Sequence, residues 1–148
     1  MPSSRENTGS WSAGPGTHRV LLIDDEVVIR RALSRWFARH GWVVHEAGDG
    51  DAARRLLTDA HSDEVELVIC DLRMPLGSGE ELYRWLQQHR PELAGRVVFS
   101  SGDVLAPEAA TFLAEAGRPV LAKPFDLRDL ARVVDEARAS VRAAPGAG

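Results

Sequence analysis

Five short apolar runs recur along this chain, each about the length of one strand, and a stretch of helical period separates most of them from the next. That alternation constrains the fold more than any single motif. The runs are Val20 to Ile23, Trp42 to His45, Leu67 to Cys70, Val97 to Phe99 and Val120 to Ala122. Strands that alternate with helices argue for repeated βα units and a mainly parallel sheet. In the first helical stretch Ile29, Leu33 and Trp36 fall at i, i+4 and i+7, with Ala32 and Phe37 beside them. Arg30, Arg31, Arg35 and Arg39 are expected mostly to face away, and Gly41 stops the helix. Another helix opens at Ser78, whose hydroxyl is placed to cap the amide of Glu81 while Glu81 reaches back, and Leu82, Trp85 and Leu86 form its buried stripe. The last has Asp126 as its N-cap and is expected to bury Leu127, Leu130, Ala131 and Val134. Weaker helices are expected near Asp51 to Thr58 and Pro107 to Glu115. Five strands with five helices make an α/β, doubly wound parallel sheet over residues 18–140. Residues 1–17 and 141–148, rich in Ser, Gly, Pro and Ala, read as tails.

With 148 residues, 44% hydrophobic and 27% charged, the chain has the size and balance of one globular domain. Its formal charge of −4, from 18 basic and 22 acidic residues, leaves no basic stripe to neutralise a run of phosphates, so direct nucleic-acid binding is not expected. A lone cysteine, Cys70, forms no internal disulfide, and its place within an apolar strand favours packing over redox chemistry. No stretch has the character of a signal peptide or a membrane span, so a soluble, cytoplasmic protein is expected.

In a doubly wound sheet the ligand site lies beyond the carboxyl ends of the strands. Asp24-Asp25-Glu26 follows the first apolar run and Asp71 the third, so carboxylates from both meet at that edge. Crowded carboxylates raise one another's pKa unless a cation joins them, and an all-oxygen set with open positions suits Mg²⁺ better than zinc. Taken singly, each acid is equally well explained as a helix cap or turn opener. Ser100-Ser101-Gly102 and Lys123-Pro124 end the fourth and fifth runs. A hydroxyl and an ammonium aimed at the carboxylates would supply donors to a transferring phosphoryl group. Alone they are a turn and a strand exit; their common edge is what counts.

Ile23-Asp-Asp-Glu26, Asp71-Leu-Arg-Met-Pro75, Gly79, Ser101-Gly102 and Lys123-Pro-Phe125 together resemble the receiver domains of response regulators, over about residues 18–140. The intervals of 30 residues from Asp71 to Ser101 and 22 from Ser101 to Lys123 are ordinary for that family. The resemblance implies a flavodoxin-like fold in which Asp71 accepts a phosphoryl group from a histidine kinase or histidine phosphotransfer protein. It implies Mg²⁺ held by Asp25 directly, by Asp24 through water, by Asp71 and by the backbone carbonyl of Arg73. Ser101 and Lys123 would contact the phosphoryl oxygens, Glu26 would support the acidic pocket, and the bond before Pro124 would be cis. Such a module is a signalling acceptor, not a turnover enzyme, with a second copy of the chain as a further candidate partner. The Pro119 to Phe125 stretch is similar to receivers fused to hybrid histidine kinases, and with no output domain expected after Lys123 the chain reads as a single-domain regulator or a receiver excised from a larger protein.

Two other readings compete. A haloacid-dehalogenase-like phosphohydrolase also uses an aspartyl nucleophile, but sets it after the first strand with a second Asp two positions on, where this chain has Glu26. A degenerate receiver serving as an unphosphorylated docking module usually lacks one of the five site residues; all five types are present here. One departure from the family stands out. Many receivers carry an aromatic residue three positions before the lysine, and this chain has Val120. A β-branched side chain has few rotamers and no ring to swing. A signal is therefore expected to run through the backbone around Ser101 to Asp103 and the helix near Pro107 to Glu115.

Overall fold

A computed structural model of the chain describes residues 18–59, 64–74, 77–102 and 106–147. The N-terminal tail, His61, Pro75 and Asp103 lie outside the described residues. In chain order the elements are β1 (Arg19–Ile23), α1 (Val27–Arg39), β2 (Val43–Ala47), α2 (Gly50–Leu57), β3 (Leu67–Asp71), α3 (Gly79–His89), α4 (Pro91–Ala94), β4 (Val97–Ser101), α5 (Pro107–Ala116), β5 (Val120–Ala122) and α6 (Leu127–Ala147). All strand pairs are parallel and the sheet order is β2-β1-β3-β4-β5. The chain leaves β1 to one side for β2 and returns on the other side for β3, so the order reverses between β1 and β3. In such a sheet a ligand site is expected at that switch point, on the carboxyl edge.

The strands feed two cores, because successive side chains point to opposite faces. Leu21, Ile23, Val68, Cys70, Val97 and Phe99 pack under Ala53 and Leu57 of α2, Leu82, Tyr83 and Leu86 of α3, and Ala109 and Phe112 of α5. Val20, Leu22, Val44, Leu67, Ile69, Val98 and Leu121 pack against Leu33 and Phe37 of α1 and Leu130, Val133, Val134 and Ala137 of α6. Phe99 is the hub of the first core, with Tyr83 and Phe112 edge-on to it at centroid distances of 5.4 and 5.2 Å.

Several sequence expectations are corrected. Among the described residues there are six helices, because Pro91 starts one extra turn, α4, whose Leu93 and Ala94 are buried. Leu127 is 55% exposed and not part of the core. It is the first residue of α6, before the helix has settled onto the sheet, and the stripe that packs is Leu130, Val133, Val134 and Ala137 at i, i+3, i+4 and i+7. Ala32 faces solvent, for Leu33 and Phe37 already fill the α1 contact. α6 runs on to Ala147, into the segment read as a tail. β1 starts one residue earlier than its apolar run, since Arg19 is buried, ion-paired with Glu64 at 2.8 Å and hydrogen-bonded to Nε2 of His45 at 3.1 Å.

The caps follow the sequence. Ser78 and Glu81 form a reciprocal capping box on α3, and Asp126 accepts from the backbone N–H of Arg128 and Asp129, both at 2.9 Å. Glycine is needed where the loop after β3 meets α2. Gly77 has φ +75°, and a Cβ on Gly50 would strike its carbonyl group.

Ser78→Ala is expected to cost about 1 kcal/mol of stability through loss of the cap, and Phe99→Ala about 3–5 kcal/mol through loss of the core hub. Urea unfolding midpoints measure both, and equal losses would contradict the division of labour between cap and core.

Candidate functional site

The register decides what meets at the carboxyl edge. Ile23 pairs with Ala47 on one side and Cys70 on the other, so Asp24 leaves β1 level with Asp71 at the end of β3. Asp71 pairs with Ser100 and Ser101 with Ala122. Lys123 follows, its backbone N–H donating to the Ser101 carbonyl at 2.8 Å. Two residues before Asp24, Asp71, Ser100 and Lys123 stand Leu22, Ile69, Val98 and Leu121, all in the core under α1 and α6. By strand alternation these four therefore share one face. Ser101 is buried and follows Phe99 by two, which assigns it to the rim of the opposite face, as Val120 is by its place before Leu121.

Lys123 joins the acids. Its Nζ lies 3.1 Å from Asp24 Oδ2, 2.7 Å from Glu26 Oε1 and 3.3 Å from Asp71 Oδ2. Asp24 is buried, and its Oδ1 accepts the Glu26 backbone N–H at 2.8 Å. The Arg73 backbone N–H donates to Asp71 Oδ1 at 3.3 Å. The bond between Lys123 and Pro124 is cis. Asp25 is exposed, yet Asp24, Asp25 and Asp71 each offer a carboxylate oxygen with all three within 4.8 Å of one another. That hard, anionic set fits a small divalent cation.

Arg30 was missed by sequence reasoning. Instead of facing away, it turns back to donate from Nη1 to the Asp24 carbonyl at 2.6 Å and from Nε to Glu46 at 2.8 Å. Helical period alone gave no sign of this, because a long guanidinium can reach an acid on a neighbouring strand.

The electrostatics show the strain of the cluster. Burial, then the negative charge of Asp24, pushes the Asp71 carboxyl up to about 7, with Lys123 and the Arg73 N–H acting the other way. For Lys123 burial favours the neutral form, but the hydrogen bonds to Glu26 and Asp24 and the charge of Asp71 outweigh it and hold the ammonium above its ordinary range. Burial, with Asp71 and Asp24 adding to it, raises the Cys70 thiol far from the thiolate form, in keeping with a packing role.

Residues 20–135 match the family model for the response regulator receiver domain. The chain belongs to that family. It is 34% identical over 121 residues to the sensor kinase CckA of Brucella abortus, covering 82% of this chain and 12% of that protein. It is 32% identical over 120 residues to the regulatory protein AtoC of Escherichia coli, covering 81% of this chain and 25% of that protein. The receiver thus spans a minor part of these relatives' length. Among solved structures, a response regulator receiver protein from Pseudomonas putida is 28% identical with a TM-score of 0.69, covering 83% of this chain and 99% of that one. A receiver domain protein from Clostridium thermocellum is 26% identical with a TM-score of 0.71, covering 81% and 93%. Receiver domains are signalling modules, and those of two-component systems work with histidine kinases or phosphotransfer proteins. Among the described residues of this receiver, no helix is long and apolar enough to cross a membrane.

Asp71 binds its proton more tightly folded than unfolded. Its contribution to stability is therefore complete below its ordinary value of 3.8 and is lost as pH rises through about 7. Without divalent metal, Asp71→Asn is expected to be more stable than wild type at pH 8 by on the order of 2 kcal/mol, and no more stable near pH 4. Urea unfolding across this range measures the difference; an Asn variant less stable at pH 8 would contradict the strained carboxylate.

Proposed function

We propose that this receiver accepts a phosphoryl group on Asp71 from a phosphohistidine of a histidine kinase or phosphotransfer protein, with Mg²⁺ as its cofactor. The observation that carries this reading is the meeting of Asp24, Asp25 and Asp71 within 4.8 Å, with Lys123 bridging Asp24 and Asp71 from the far strand. Asp24, Asp25, Asp71 and the Arg73 carbonyl would hold the ion, which supplies charge neutralisation between the attacking acid and the incoming anion.

The chain's own residues account for the rest. In transfer, an Asp71 oxygen bonds to phosphorus, the phosphorus–nitrogen bond of the donor breaks, and its electron pair returns to the imidazole. Anion meets anion in that step, and the Lys123 ammonium, held charged by its acidic neighbours, offsets the repulsion. Ser101, at the rim beside Asp71, donates to a phosphoryl oxygen by a small inward movement of its loop. Val120 has no ring to swing, so the change passes through the backbone after Ser101 into α5. The product is an aspartyl phosphate on the receiver itself, which makes it a switch in the cytoplasm and not a turnover enzyme.

With acetyl phosphate and Mg²⁺, the protein is expected to gain the mass of one phosphoryl group and Asp71→Asn none, as read by intact mass. Equal labelling of the two would move the acceptor elsewhere. By calorimetric titration, Asp25→Ala is expected to weaken Mg²⁺ binding more than Asp24→Ala, on a scale of about 10- to 100-fold. Unchanged affinity in both would remove the acidic pair as the metal site.

A further inference from the structure

Ser101 drew attention in the sequence because Gly102 follows it; Ser100, one residue earlier, did not. Yet Ser100 is 1% exposed, and its Oγ is buried with no hydrogen-bond partner among the described residues. A buried hydroxyl without a partner is costly, and native proteins keep few of them. Its surroundings give it a use. β4 lies between β3 and β5. Lys123 follows β5, and its Nζ comes within 3.3 Å of Asp71 Oδ2 at the end of β3, so its side chain crosses β4 on the face shared with Asp71. Ser100 is the β4 residue on that face at that level, paired with Asp71 on one side and Leu121 on the other. The hydroxyl therefore lies at the floor beneath the Lys123–Asp71 ion pair. Its strand position is held by the Leu72 N–H, which donates to the Ser100 carbonyl at 2.9 Å.

We propose that Ser100 is a positioning residue for Asp71, its hydroxyl, unpartnered in the resting site, turning to donate to the acid's carboxyl group as the phosphoryl group leaves and so shortening the life of the aspartyl phosphate. The inference rests on Asp71 being the phosphoacceptor. In the loss of the phosphoryl group, the oxygen of a water molecule bonds to phosphorus and the bond from phosphorus to Asp71 breaks. The electron pair stays on Asp71 as carboxylate, and the water proton leaves with inorganic phosphate. Negative charge grows on Asp71 throughout that step, beside the buried Asp24. A hydrogen bond to Asp71 strengthens as the charge grows, and lowers the barrier.

Wild type, Ser100→Ala and Ser100→Thr are to be phosphorylated with acetyl phosphate and Mg²⁺, desalted to remove the donor, and followed by intact mass. Ser100→Ala is expected to lengthen the phosphoryl half-life about 3- to 10-fold, the loss of one hydrogen bond to a group gaining charge. Ser100→Thr, which keeps the hydroxyl, should stay near wild type. The urea midpoint of Ser100→Ala should not fall, since the change removes a buried hydroxyl that has no partner. An unchanged or shortened half-life in Ser100→Ala, or equal lengthening in Ser100→Thr, overturns the inference, and a fallen midpoint with an unchanged half-life assigns the hydroxyl to packing alone. A wild type that gains no mass overturns the Asp71 assignment and this inference together, and is told apart from the other results by the missing phosphoryl mass.

Discussion

Two carboxylates that leave neighbouring parallel strands at the same level repel each other, and the ammonium of Lys123 is the cation the polypeptide itself supplies. Asp24 comes from β1 and Asp71 from β3, but Lys123 comes from β5, two strands beyond β3 in the sheet. The ion pairs exist only if the ladders from β1 through β3 and β4 to β5 all hold register. A one-residue slip in any of them would send a side chain to the opposite face. The site is therefore a property of the whole sheet more than of any one motif, and the two apolar layers serve it by keeping the strands in register.

The same arrangement leaves the cluster short of positive charge. Three acids face one ammonium, Asp25 takes no part in the Lys123 ion pairs described, and the Asp71 carboxyl is pushed up to about 7 by burial and by Asp24. A folded protein that tolerates such crowding has stored affinity for whatever relieves it, either a divalent cation or a change in the charge on Asp71. Arg30 adds to the order without adding to the relief. It braces the backbone carbonyl of Asp24, and its charge is spent on Glu46.

Much of this was legible from residue order because it depends on local rules. Each strand was found from its apolar run, since a strand covered on both faces cannot hide its composition, and Ser78 and Asp126 announced their helices because capping is written within four residues. The edge that gathers Asp24, Asp25, Asp71 and Lys123 followed from topology alone. What escaped depends on distance. The burial of Arg19 rests on partners 26 and 45 positions away, His45 and Glu64. Arg30 is recruited by Glu46, across 16 positions. Leu127 fits the helical period but stands where the helix has not yet reached the sheet. Ser100 looked like half of a turn, and only the pairing of β3 with β4 sets it beside Asp71.

The contact between Gly50 and Gly77 bears on how such a chain can change over time. The Gly77 carbonyl occupies the space that a side chain on Gly50 would need, Gly77 itself has φ +75°, and a Cβ on Gly79 would press on the backbone of Asp71 and Leu72. Three positions around the loop after β3 thus accept almost no other residue, whereas Val28 is 82% exposed on α1 and meets no such constraint. New specificities in this lineage would accumulate on the helix surfaces while the loop beside Asp71 stays nearly frozen, so kinship between distant copies would remain readable there longest.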